Sequence, residues 1–286
     1  MQDPAVVKIQ TIYGVFDVHA KLDKKMAEGL RCPDYPNEGL LEIMRAFATK
    51  QDTVVDIGAH IGTFSIPAAT IAKEVIAFEP SQQSFTQLSQ NSQQNEANLT
   101  LHNLALGSTA GQGALRARAH ANAGAHSLVS GTDFEITTVD EKVARADFIK
   151  LDVEGMELQV LLGAQKLIKN SRPVVLFEIN LFQLRSHGAS VQALQRYFNS
   201  REYVLFYPMR KRGVLILGEV KNAMLLTACL APRSWFLRGD SAPYDLVAVP
   251  KERVLPMPRT GFGSVIGEAI RHNAVIKGKR LRAFLR

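Results

Sequence analysis

The run DTVVDIGAHIGTFSIPAATIA at residues 52–72 constrains this chain more than any other segment. A near-continuous apolar stretch, a glycine turn and a second apolar stretch of helical length read as a buried strand, a tight connection and a helix. The turn has the form D-x-G-x-x-x-G through Asp56, Gly58 and Gly62. Gly58 permits the sharp reversal and Gly62 lets the helix begin close to the strand, with backbone N–H groups expected to face a ligand. A dinucleotide fingerprint requires glycine where this chain has His60, so a bound pyrophosphate is disfavoured.

The pattern continues. VIAFEP reads as a second strand, SQQSFTQLSQNSQQN as a polar helix, LTLHNLAL as a third strand, and Gly107 to Glu135 as added β-structure. EITTVD, the strand FIKLDVEG, the helix GMELQVLLGAQKLIKN and the strand PVVLFEIN follow. A helix over about 191–200 precedes YVLFYPM and GVLILGE, a terminal strand pair, and YDLVAVP reads as a last edge strand closed by Pro250. Strands alternating with helices imply an α/β fold with a doubly wound, Rossmann-like, mostly parallel sheet and antiparallel terminal strands. Residues 1–50 form a preface, with a β-prone VVKIQTIYGVFDV, a loop through Pro33 and Pro36, and a helix from about Glu38 to Thr49. The expected division is therefore a 1–50 preface, a 51–250 catalytic domain and a 251–286 basic tail.

Charge placement narrows the partners. Of the net +7, residues 251–286 hold nine Lys/Arg against Glu252 and Glu268, which leaves 25 against 25 in residues 1–250. A nucleic-acid enzyme ordinarily surrounds its site with positive charge, so the neutral body argues against a nucleic-acid partner. Two cysteines, Cys32 and Cys229, supply neither a disulfide framework nor a zinc spacing. With no secretory pattern at the start and no membrane-spanning apolar run, a cytoplasmic setting is expected. A helix over 267–286 would gather Ile270, Ala274, Leu281 and Phe284 on one face, fitting either peripheral contact with the inner membrane face or a solvated tail.

Glu79 ends the second strand, 21 residues beyond Gly58, where an acidic side chain accepts hydrogen bonds from ribose hydroxyls. Adenosine with free 2′ and 3′ hydroxyls is the expected guest; the alternative is that Glu79 only caps the turn at Pro80 and Ser81. Asn103 ends the third strand, in reach of either an adenine edge or turn backbone. On the fourth strand, alternation puts Lys150, Asp152 and Glu154 on one side, beside the reacting centre. Asp152 and Glu154 are candidate catalytic carboxylates, Asp152 also a cofactor contact, and Glu157 or Glu154 alternatively serves the next helix start. His60 is the best-placed imidazole, as general base or as a packing group. Glu178 and Asn180 end the next strand as candidate substrate contacts; their oxygens also suit Mg²⁺, although no metal ligand is assigned.

VVDIGAHIGTFS, FEP, NLALG, TVDE, DFIKLDVEGMELQVLLGA and PVVLFEIN, in this order, closely resemble the FkbM family of S-adenosylmethionine-dependent methyltransferases. Glu38, inside YPNEGLLEIM, also resembles an acidic position of that family. The resemblance covers about residues 38–210 and implies a class I methyltransferase fold, S-adenosylmethionine as donor, and O-methylation of a sugar, glycan or related small-molecule acceptor. It assigns nothing to residues 253–286, and the oligomeric state stays open. Competing readings are a nucleic-acid-modifying or nucleic-acid-binding protein using the basic tail, a nicotinamide oxidoreductase, disfavoured by His60, and a noncatalytic scaffold, disfavoured by the intact motif residues.

Overall fold

A computed structural model of the protein describes residues 5–117, 126–211, 214–230, 243–254, 259–260 and 264–265. The chain divides into two compact units, Met1–Leu176 and Phe177–Arg286. The face expected between Ile270 and Phe284 lies outside the described residues.

In the first unit the β-prone opening doubles back as a hairpin, β1 (Val6–Thr11) with β2 (Gly14–His19), in antiparallel register from Val6 opposite His19. Two helices follow, α1 (Lys24–Arg31) and α2 (Glu38–Phe47). The expected 52–72 unit is β3 (Thr53–Ile57) and α3 (Ser65–Ala69), then β4 (Glu74–Phe78), the polar α4 (Gln82–Gln94) and β5 (Leu99–His102). β6 (Ala105–Leu106), β7 (Gly111–Ala117) and β8 (His126–Thr137) make the added three-stranded sheet. α5 (Val139–Lys142) leads into β9 (Phe148–Leu151), followed by α6 (Glu157–Leu162) and α7 (Gln165–Ser171).

β3 pairs in parallel with β4 on one side and β9 on the other, and β4 pairs in parallel with β5. The chain thus runs outward from β3 through β4 to β5 and returns to β9, placing a topological switch point between β3 and β9. Val54, Val55, Val75, Ala77 and Phe148 have no solvent exposure, as strands covered on both faces require.

The expected long helix after β9 is broken at Gly163. A Cβ there would stand 2.0 Å from the Gly107 carbonyl oxygen, and the Gly163 carbonyl accepts the Asp140 N–H at 3.0 Å. The helix yields because the β6 end of the added sheet occupies its path.

β10 (Val174–Ile179) crosses the boundary between the units. The second unit continues with α8 (Leu181–Ser186), α9 (Val191–Asn199), β11 (Tyr203–Lys211), β12 (Val214–Glu219), α10 (Ala223–Leu230), β13 (Tyr244–Pro250) and β14 (Arg259–Thr260). β11 pairs antiparallel with both β12 and β13, giving the expected antiparallel terminal strands. β13 departs from the edge strand expected, since Leu246, Val247, Ala248 and Val249 are fully buried.

Candidate active site

The register of β3 against β9 sets Asp56 beside Lys150. A lysine on an otherwise apolar buried strand must be paired, and Lys150 meets Asp56, Asp152 and the Gly58 carbonyl. Its Nζ stands 3.1 Å from Asp56 Oδ1 and 3.5 Å from Asp152 Oδ2, and donates to the Gly58 carbonyl at 2.9 Å. Asp56 is completely buried, and its Oδ2 accepts from Ser65 Oγ at 2.5 Å. Its carboxylate therefore meets Lys150 and the start of α3 rather than open space. Asp152 retains 38% side-chain exposure, so one end of this buried network opens outward.

Gly58, His60 and Gly62 take φ values of +84°, +53° and +91°. A Cβ on Gly58 would lie 1.9 Å from the Asp152 carbonyl oxygen, so only glycine fits where the ends of β3 and β9 converge. Several turn N–H groups expected to face a ligand point inward instead. Those of Gly58 and Ala59 donate to the Phe78 carbonyl at 3.0 Å, and that of Gly62 to Ala59 at 2.9 Å. The physical reason is closure of the turn onto the end of β4.

Glu79 joins that closure. Its Oε2 accepts the His60 N–H and its Oε1 the Ser81 N–H, both at 2.9 Å. Burial raises its pKa to about 7, against the two N–H bonds and the Lys150 charge that pull it down. The expected cap of the turn is present, and each oxygen keeps acceptor capacity for another donor. Asn103 Nδ2 donates to the carbonyls of Glu79 at 2.8 Å and Pro80 at 3.2 Å, the turn-backbone alternative.

Strand alternation does not extend to Glu154, because β9 ends at Leu151. Glu154 sits in left-handed backbone, φ +53°, followed by Gly155 at +100°. Glu157, the first residue of α6, accepts the Gly155 N–H at 3.0 Å, and burial raises its pKa to about 7. Glu157 thus serves the helix start and holds the bend that contains Glu154.

The His60 imidazole lies 3.2 Å from Asp23 Oδ2 through Nε2. No sequence spacing signals that contact. In the second unit, Asn180 caps α8 through the Gln183 N–H at 3.3 Å, and Glu178 is half-buried on β10. Among the described residues no group of three or more His, Cys, Asp or Glu is placed to hold a metal ion. Glu38 accepts from Tyr13 Oη at 2.6 Å and from Arg45 at 2.9 Å, a cluster at the start of α2.

A mostly parallel sheet with a glycine turn, an acidic β4 end and a Lys–Asp network at the switch point makes a Rossmann-like fold, the fold of class I methyltransferases. The methyltransferase FkbM domain matches residues 56–205, more than half of the chain, and the chain belongs to that family. It is 28% identical over 145 residues to the hexuronic acid methyltransferase AglP of Haloferax volcanii, a match covering 48% of this chain and 60% of that protein. The chain therefore spans less than two thirds of that relative.

Two solved structures are also similar. An FkbM methyltransferase from Methylobacillus flagellatus KT shares 21% identity at a TM-score of 0.41, over 55% of this chain and 40% of the other. TYW2 of M. jannaschii, in complex with AdoMet, shares 14% identity at a TM-score of 0.44, over 87% and 86%.

Proposed function

We propose that this methyltransferase takes its methyl group from S-adenosylmethionine and delivers it to a hydroxyl of a sugar, glycan or related metabolite. The observation that carries the donor reading is Glu79, whose carboxylate is fixed at the end of β4 against the glycine turn and keeps lone pairs for ribose hydroxyls. Gly58, His60 and Gly62 shape the turn, Asp56 supports it through Lys150, and Asn103, braced on the Glu79 and Pro80 carbonyls, is assigned to the adenine edge. The residues suit this donor better than a dinucleotide, because the turn spends its N–H groups internally and leaves few for a pyrophosphate. The acceptor class is supported by the relative AglP, named a hexuronic acid methyltransferase.

When bound, S-adenosylmethionine supplies an electrophilic methyl whose C–S electron pair departs on sulfur as the acceptor oxygen takes the carbon. The chain must hold the acceptor hydroxyl in line and receive its proton. Asp152 and Glu154 are assigned to that work. Lys150 Nζ, 3.5 Å from Asp152 Oδ2, orients the first carboxylate, and Glu154 follows in the left-handed bend just beyond the strand end. His60, whose imidazole faces Asp23, is assigned to the turn rather than to proton transfer.

Calorimetry with S-adenosylmethionine, S-adenosylhomocysteine and NAD tests the donor, and labelled-methyl transfer to free hexuronic acids, oligosaccharides and RNA tests the acceptor. Binding of the first two with transfer to a saccharide is expected. Asp152→Asn and Glu154→Gln should then damage turnover at least as much as donor affinity. Binding of NAD alone would sink the donor reading, and transfer to RNA alone the acceptor reading.

A further inference from the structure

The residues before β3 grip the glycine turn from outside the sheet. Asp23 meets His60, and Asn91 of α4 donates to the Ile61 carbonyl at 2.9 Å while accepting the Asp17 N–H of the hairpin at 2.7 Å. Tyr35 Oη donates to the Thr63 carbonyl at 2.7 Å, and Asn37 Nδ2 to Thr63 Oγ1 at 2.9 Å. Three of the four residues from 60 to 63 are therefore held by this segment or through it.

Asp23 is the charged member of the grip. It is 4% exposed, its Oδ1 caps α1 through the Met26 N–H at 3.4 Å, and its buried Oδ2 faces the imidazole. Among the described residues that Oδ2 accepts no hydrogen bond, and the group facing it is the His60 Nε2 at 3.2 Å. His60 in turn needs support, because left-handed backbone is costly for a residue with a Cβ and persists where its surroundings impose it. Glu79 also faces His60, at the His60 N–H. Lys150 lies on the far side of the turn, at the Gly58 carbonyl.

We propose that Asp23 is a positioning residue that acts through the His60 imidazole to hold the 58–62 turn in its donor-binding conformation. The link to the donor rests on the function proposed above; the hold on the turn does not. Sequence elements outside the parallel sheet thereby become part of the site.

The test compares wild type with Asp23→Asn, His60→Asn and the double variant. Asparagine at 23 keeps the cap acceptor of α1 while removing the charge, and asparagine at 60 tolerates left-handed backbone. In the ligand-free proteins, amide exchange of residues 59–63 should quicken by about tenfold in either single variant, with the double variant no faster than His60→Asn alone. The His60 imidazole resonances should move in Asp23→Asn, because the group 3.2 Å from Nε2 has changed. S-adenosylmethionine should bind about tenfold more weakly to Asp23→Asn than to wild type. Unchanged exchange, unmoved His60 imidazole resonances, or additive effects in the double variant would overturn the proposal. Should Asp23→Asn not fold, quickened exchange in His60→Asn supports the hold on the turn and unchanged exchange refutes it. Coupled exchange with no donor binding by wild type would uphold the hold on the turn and refute the donor reading alone.

Discussion

Glu79 carries a stability signature that can be read without any substrate. Its carboxyl holds a proton up to about pH 7 in the folded protein and releases it near 4.5 when exposed, with burial as the largest cause. Between those values the folded state binds more protons, so stability falls as pH rises, and above about pH 7 the whole loss is present. A rise of about 2.5 units corresponds to about 3 kcal/mol. Glutamine at 79 cannot ionise and escapes that loss. It costs about 1 kcal/mol of its own, because the amide nitrogen cannot accept the second of the two N–H groups, from His60 and Ser81. Glu79→Gln should therefore be about 1 kcal/mol less stable than wild type near pH 4.5 and about 2 kcal/mol more stable near pH 8. Glu157 titrates identically in both proteins and cancels in the difference. Urea unfolding of the two proteins across that range is the measurement. A difference in unfolding free energy that stays constant with pH would refute the assignment of a buried, proton-holding Glu79.

The same carboxyl makes donor binding pH-dependent with the opposite sign: ribose hydroxyls favour the ionised form, so S-adenosylmethionine affinity should rise by up to about tenfold from pH 6 to 8, as calorimetry would record. Lys150→Met leaves the fully buried Asp56 without its cation and should destabilise the protein by about 3 to 5 kcal/mol, measured by urea unfolding; a change below about 1 kcal/mol would mean Asp56 is otherwise compensated. The basic stretch 251–286 should bring the full chain down with anionic lipid vesicles at low salt, with release at high salt and none with neutral vesicles; equal, negligible pelleting in every condition would remove the membrane contact.

What the sequence determined by itself is local in the chain. The βα alternation, the glycine turn at Gly58 and Gly62 and the acidic end of β4 at Glu79 are written in runs of under 30 residues, where hydropathy period and backbone preference decide the geometry. The acidic block after β9 was legible as a strand end. Its internal bend was not, because alternation says nothing about where a strand stops, and here a buried Glu157 and the left-handed Glu154 and Gly155 decide it. The helix break at Gly163 escaped for a related reason, since it is set by the Gly107 backbone brought close by the fold. Lys150 left a signal, a lone lysine in the apolar strand FIKL, although its partners emerged only when parallel pairing set β9 beside β3. Asp23 left none. Its meeting with His60 joins residues 37 positions apart, with α1, α2 and β3 between them, and such a contact is chosen by the packing of whole elements. Periodicity records which face of an element is buried, and only the tertiary structure decides which buried faces meet.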